Sequence, residues 1–150
     1  MRAVIQRVLE ASVEVDGEII SEIGSGLSIL LGIEEADDRT DLDWLVQKIV
    51  RMRIFDDERG KMNLDLKSSG GSALVVSQFT LHASTKKGNR PSYIKAARPE
   101  DAEPLYKAFC VAFSESLGHS VGRGSFGAMM KISLINDGPV TIFIDSRNRE

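Results

Sequence analysis

An α+β domain, with an antiparallel-rich sheet and two main covering helices, is predicted from three features of the sequence. Apolar residues alternate with polar ones around Asp16-Gly17, and they alternate again on both sides of Asn136 to Pro139. Two separate stretches carry apolar residues at helical spacing. Alternation with a period of two marks half-buried strands, and recurrence at three and four marks helices with one buried face.

The elements follow in order. Ala11, Val13 and Val15 lead into Asp16-Gly17, a two-residue hairpin signal, and Glu18 to Ile23 supplies the return strand. Gly26 to Ile33 and Ala73 to Val76 are nearly continuous apolar runs, which suits strands covered on both faces. Between them, Leu42, Leu45, Val46, Ile49 and Val50 form a helical stripe, with Thr40 placed to cap its start and Asp43 to favour its dipole. A second helix carries Leu105, Phe109, Ala112, Phe113 and Leu117, begins between Pro99 and Pro104, and stops at Gly118. Met130, Ile132 and Leu134 alternate, as do Val140, Ile142 and Ile144, which predicts a C-terminal hairpin turning at Asn136 to Pro139.

Composition bounds the function. With 150 residues, 42% of them hydrophobic, the chain is long enough to bury a core as one domain spanning 1–150. A single cysteine, Cys110, cannot form an internal disulfide, and no N-terminal apolar stretch has the form of a signal peptide or membrane span, so the expected compartment is the cytoplasm. Cys110 lies among Phe109, Val111, Ala112 and Phe113 and reads as a small core residue. His82 and His119 have no Cys, Asp or Glu at ligand spacing, so neither a metal nor another cofactor is expected.

The net charge of −3 is not that of a general nucleic-acid binder, but its distribution is uneven. Lys86, Lys87, Arg90, Lys95 and Arg98 fall in one stretch without an acidic residue; with those five set aside, the remainder stands at −8. Such a patch is either a solvated loop or a phosphate-contacting surface.

Ser77-Gln78-Phe79-Thr80 follows a buried strand, a place where the sheet holds the backbone still while the tip stays accessible. In a regular strand Ser77 and Thr80 face opposite sides, so a pocket using both requires a local bend. No Gly-x-Ser-x-Gly elbow surrounds either hydroxyl, which argues against a Ser-His-Asp hydrolase.

These segments, together with Met1 to Val8, Gly60-Lys61-Met62-Asn63, Lys87 to Ser92, Gly124 to Met130 and Asn136-Asp137-Gly138-Pro139-Val140-Thr141, resemble the bacterial-type D-aminoacyl-tRNA deacylases over essentially the whole chain. The resemblance implies a barrel-like β-core, a homodimer, and hydrolysis of the ester joining a D-amino acid to the terminal adenosine of tRNA. Ser77, Gln78, Phe79 and Thr80 would form the catalytic segment, with backbone N–H groups holding the oxyanion and the ribose 2′-hydroxyl assisting the attacking water. Thr80 would then be a positioning group rather than the nucleophile.

Gly138 and Pro139, as a cis pair, would enter the partner's site and exclude L side chains. Proline lowers the cost of a cis peptide to about 0.5 to 1 kcal/mol, and glycine leaves room beside it. Selection by exclusion would admit many D-amino acids and glycine, including glycine mischarged on alanine tRNA. Arg7 would brace the Gly-Pro carbonyls by hydrogen bonding. Phe126 and Met130 would pack the terminal adenine, and Lys86, Lys87 and Arg90 would meet tRNA phosphates. Ser84 stands where many members carry an acidic residue, so no carboxylate acts there. The same resemblance leaves three alternatives: a relative with a trans Gly-Pro pair or a threonyl-tRNA synthetase editing domain, both acting on small L-amino acids, and a non-enzymatic DNA-binding or scaffold protein; Arg7 favours the cis form.

Overall fold

The structure is a computed structural model, described over residues 1–149. Its organising element is β1 (Arg2–Val15), a long strand that pairs with others along both edges. On one edge its first half runs antiparallel to β3 (Gly26–Gly32) and its second half antiparallel to β2 (Glu18–Ile23). After β3 come α1 (Arg39–Val50), the small hairpin of β4 (Phe55–Asp56) and β5 (Met62–Leu64), and β6 (Ser72–Ser77). The β6 strand lies parallel to β3, and β7 (Gly122–Arg123) lies parallel to β6. A parallel partner requires a crossover, which α1 provides, and the helices then bury the outer face of β3 and β6 as their apolar runs require. Where β7 approaches β2, Arg123 N–H donates to Ser21 Oγ at 3.2 Å, bringing the sheet nearly to closure as a barrel.

Side chains sort into two cores. Ala3 and Ile5 of β1 and Leu27, Ile29 and Leu31 of β3 face α1 and α2 (Pro99–Leu117), where Leu42, Leu45, Ile49, Phe109 and Phe113 meet them. Inside the barrel, Val8, Ala11 and Val13 pack against Leu74 and Val76, with Leu30, Met130, Ile132 and Leu134 around them. The change of face along β1 between Ile5 and Val8 coincides with an irregularity in its pairing, and Arg7 sits at that step.

The opposite edge of β1 is occupied by β8 (Lys131–Asp145), and here the structure corrects the sequence reading. Residues 131–145 form one antiparallel partner of β1, with Glu14 opposite Lys131 and Arg2 opposite Asp145, and not a hairpin of two strands. The turn signal at Asn136 to Pro139 produces a bulge instead: Val8 pairs with Asn136 and Gln6 with Thr141, so the residues between them loop out opposite Arg7. Asn136 closes the loop from within. Its Oδ1 accepts from Val140 N–H at 3.2 Å, and its Nδ2 donates to Thr141 Oγ1 at 3.0 Å, returning the chain to its original direction.

The helix ends add a second correction. The cap of α1 is Asp38, not Thr40: its carboxylate accepts from the Thr40 and Asp41 N–H groups at 2.8 and 3.2 Å, while Asp41 accepts back from Asp38 N–H at 3.2 Å. A carboxylate reaches two free N–H groups and complements the dipole, which the Thr40 hydroxyl inside the first turn cannot do. Asp41 is also the acidic residue of that turn, and Asp43 pairs instead with Arg39 at 2.8 Å. The second helix starts at Pro99 and ends at Gly118, as expected.

Asp41 further accepts from Ser146 Oγ at 2.7 Å, and Ser146 accepts from the Met1 amine at 2.9 Å, which also pairs with Asp37. The start of β1, the end of β8 and the start of α1 are thereby joined. Burial alone would raise the Asp41 pKa, but the Ser146 and backbone hydrogen bonds, with the positive charges of Met1 and Arg147, hold it below that of a free carboxyl. A depressed folded pKa contributes stability that is complete above the unfolded value and is lost as pH falls through the folded one. Asp41→Asn should therefore cost about 1–3 kcal/mol at neutral pH, with the wild-type and variant unfolding curves converging in acid; denaturant titrations across that range provide the check.

Candidate active site

The catalytic segment expected from sequence lies where β6 leaves the sheet. Ser77 still pairs with Leu31, and Gln78 N–H donates to Leu31 O at 2.7 Å. Gln78 then takes φ −145° and ψ 82°, and residues Phe79–His82 form a 3-10 turn. The strand therefore bends at Gln78. Gly32 makes it possible: a Cβ there would stand 2.9 Å from Leu81 Cβ and 3.0 Å from Gln78 O, so only glycine lets the turn fold back onto β3.

The first N–H groups of such a turn have no partner inside it, and among the described residues those of Phe79 and Thr80 find none elsewhere. Thr80 Oγ1 accepts from Gln78 Nε2 at 2.5 Å. No histidine, carboxylate or lysine is hydrogen-bonded to Thr80 among the described residues. His82 is buried behind the turn; among the described residues neither ring nitrogen has a partner in good hydrogen-bond geometry, burial lowers its pKa against an opposing interaction with the Gly32 backbone, and Glu34 lies 4.0 Å away. Among the described residues no three His, Cys, Asp or Glu side chains converge as metal ligands.

In front of the turn opens a largely apolar cleft of about 640 Å³. Ser77, Gln78 and Phe79 line it, as do Phe126 and Met130, the residues expected to take an adenine. Thr80 does not line it and reaches it through Gln78. The sequence reading missed most of the remaining lining. Tyr93, Ala96, Arg98, Pro99 and Ala102 bring the loop before α2 and the first turn of that helix into the cleft, with the Tyr93 ring edge-on to Phe79 at 5.1 Å. The one sequence signal for this was the aromatic Tyr93 inside the basic stretch.

Lys86, Lys87 and Arg90 stand exposed on that loop, outside the cleft. Reciprocal hydrogen bonds between the Ser84 and Ser92 backbones, at 2.8 and 2.9 Å, gather the loop at its base, and Ala97 N–H pins its end to Ile33 O at 3.0 Å.

Gly138 and Pro139 lie apart from the cleft, exposed at the β8 bulge, and their peptide is cis. Gly138 has φ +122°, and a Cβ there would come within 2.8 Å of Val140 Cγ2 and 3.1 Å of an Arg7 terminal nitrogen. Arg7 is 7% exposed and supports the bulge, but not through the carbonyls expected. Its Nε donates to Asp137 O at 3.3 Å and pairs with Asp137 Oδ2 at 3.1 Å, while its Nη1 donates to Ile54 O at 2.7 Å and lies 3.6 Å from Asp56. The guanidinium thus ties the base of the bulge to the segment entering β4 and leaves the Gly138 and Pro139 carbonyls free of it. Gly138 and Pro139 do not line the cleft that Ser77, Phe126 and Met130 share.

Comparison with known proteins places this arrangement among relatives. The model of a family described as D-Tyr-tRNA(Tyr) deacylase matches residues 4–145. A protein of Bacteroides thetaiotaomicron named D-aminoacyl-tRNA deacylase is 60% identical over 150 residues, covering all of both chains. One of the same name from Christiangramia forsetii is 63% identical over 149 residues, covering 99% of each. Among solved structures, one titled c-Myc DNA unwinding element binding protein is similar with a TM-score of 0.91 and 41% identity, covering 97% of this chain and 98% of that one.

Proposed function

Because this chain belongs to the D-Tyr-tRNA(Tyr) deacylase family, we propose that it is a hydrolase that cleaves the ester of D-aminoacyl-tRNA in the cytoplasm, using two copies to complete each site. The observation that carries this reading is the separation of the two halves. Ser77, Gln78, Phe79 and the Phe126 ring line the cleft, while Gly138 and Pro139 are exposed and do not line it. A second copy is the natural source of the missing half.

The cleft would seat the terminal adenosine between Phe126 and Met130, with the ester against Ser77 to Thr80 and the preceding phosphates near Lys86, Lys87 and Arg90. The Phe79 and Thr80 N–H groups would hold the developing oxyanion, and the ribose 2′-hydroxyl would orient the attacking water. Thr80 suits a positioning role. A nucleophilic hydroxyl needs a base to take its proton, and the neighbour at Thr80 is an amide donor. The Gly138 and Pro139 carbonyls of the partner would occupy the space an L side chain needs. Exclusion of this kind admits glycine as well as D-amino acids, so glycine mischarged on alanine tRNA falls within the substrate range.

Thr80→Ala should therefore keep a substantial fraction of activity, whereas a substrate ending in 2′-deoxyadenosine should be hydrolysed far more slowly. Single-turnover assays decide: a loss of about 10³-fold for Thr80→Ala, roughly 4 kcal/mol, or a trapped acyl-Thr80, would make Thr80 the nucleophile.

Arg7→Ala should loosen the base of the bulge and raise kcat/KM for L-Tyr-tRNA relative to D-Tyr-tRNA, each tenfold change in the ratio representing about 1.4 kcal/mol of lost exclusion. Gly-tRNA is the unhindered control. An unchanged ratio in the folded variant would remove Arg7 from selectivity.

Sedimentation at working concentrations should find a dimer, and dilution below its dissociation constant should erode discrimination together with activity. A monomer that still rejects the L substrate would overturn the shared site.

A further inference from the structure

The two walls of the cleft come from different parts of the chain, and one buried side chain touches the supports of both. Tyr106, in the second turn of α2, is 3% exposed. Its hydroxyl donates to Val75 O at 2.8 Å, two residues before Ser77 on β6, and lies 3.4 Å from Gly124 O at the start of the segment carrying Phe126. Its ring packs against the Phe126 ring with centroids 5.8 Å apart and planes tilted by 47°. We propose that Tyr106 is a positioning residue that sets Phe126 against the Ser77 end of β6, and so fixes how the cleft holds the terminal nucleoside of its substrate.

This rests on the reading of Phe126 as the adenosine contact. The hydrogen-bond inventory separates positioning from mere satisfaction of buried groups. Val75 O already accepts from Gly124 N–H at 3.0 Å, so removing the Tyr106 hydroxyl orphans no carbonyl on β6. What it removes is the tie from α2 to the place where β6 and the Phe126 segment meet. Burial keeps the phenol protonated by raising its pKa, so it remains a donor at any working pH.

Tyr106→Phe preserves the ring and removes only the hydroxyl. It should raise KM for D-Tyr-tRNA, and Ki for adenosine monophosphate as a competitor, about three- to tenfold, with kcat changed much less. A generally weakened fold reduces the active fraction and therefore kcat, leaving KM and Ki where they were. The closing experiment is the cycle of Tyr106→Phe, Phe126→Ala and the double variant, read in KM and Ki. If Tyr106 acts through Phe126, the Tyr106 change has no further effect once Phe126 is alanine.

An effect of Phe126→Ala with none of Tyr106→Phe, or with additive effects of the two, overturns the positioning role and leaves the adenosine reading intact. No effect of Phe126→Ala overturns the adenosine reading and this inference with it. Tyr106→Leu, which removes the ring contact as well, should raise KM further; if it fails to fold, the phenylalanine variant decides alone.

Discussion

The pairing of β1 with β8 is the constraint on which the rest depends. It runs from Arg2 opposite Asp145 to Glu14 opposite Lys131, and it is interrupted where Arg7 stands opposite the looped-out residues. A buried arginine needs partners that replace water. Arg7 finds them in the Asp137 and Ile54 carbonyls and the Asp137 and Asp56 carboxylates, which fixes the bulge and the entry to the β4-β5 hairpin with one side chain. At the far end of the same ladder, the Met1 amine, Ser146 and Asp41 join both strands to α1. The Gly138-Pro139 tip is therefore held from a rigid frame even though it is exposed.

The cleft obeys a complementary logic. The chemistry proposed for it would use backbone more than side chains: a strand that ends, a glycine that permits a close fold-back, and N–H groups left without partners by a short turn. Such groups are oriented by the sheet behind them and need no reorganisation when charge develops beside them. The walls are largely apolar, as the proposed contact with an aromatic base and an amino-acid side chain requires. The charged residues, Lys86, Lys87 and Arg90, stay on the loop outside, where phosphates can be met in solvent.

Much of this was legible in the sequence because it depends on neighbours along the chain. The Asp16-Gly17 hairpin, the apolar runs of β3 and β6, and the Pro99 and Gly118 ends of α2 are local signals, and they form as read. The cap of α1 was local too, but the Asp38 carboxylate just outside the helix reaches the N–H groups that the Thr40 hydroxyl, inside the first turn, does not. The C-terminal hairpin was misread for a different reason. The turn residues Asn136 to Pro139 are compatible with a reversal or with a bulge, and only the continuous partner supplied by β1 selects the bulge.

The sequence by itself determined the α+β class, the hairpin of β1 and β2, the β3 and β6 strands and both helices, and the resemblance that pointed to tRNA esters. Periodicity, turn chemistry and motif order carry that information without reference to distant residues. Tertiary structure alone decided that β8 is one strand, that Arg7 grips Asp137 rather than the Gly138 and Pro139 carbonyls, and that Tyr93, Arg98 and the start of α2 share a cleft with Phe126. It also decided that the Gly138-Pro139 tip lies away from that cleft. These are contacts between residues far apart in sequence, set by strand register and by which side chains fit the space left between packed elements, and no local pattern encodes them.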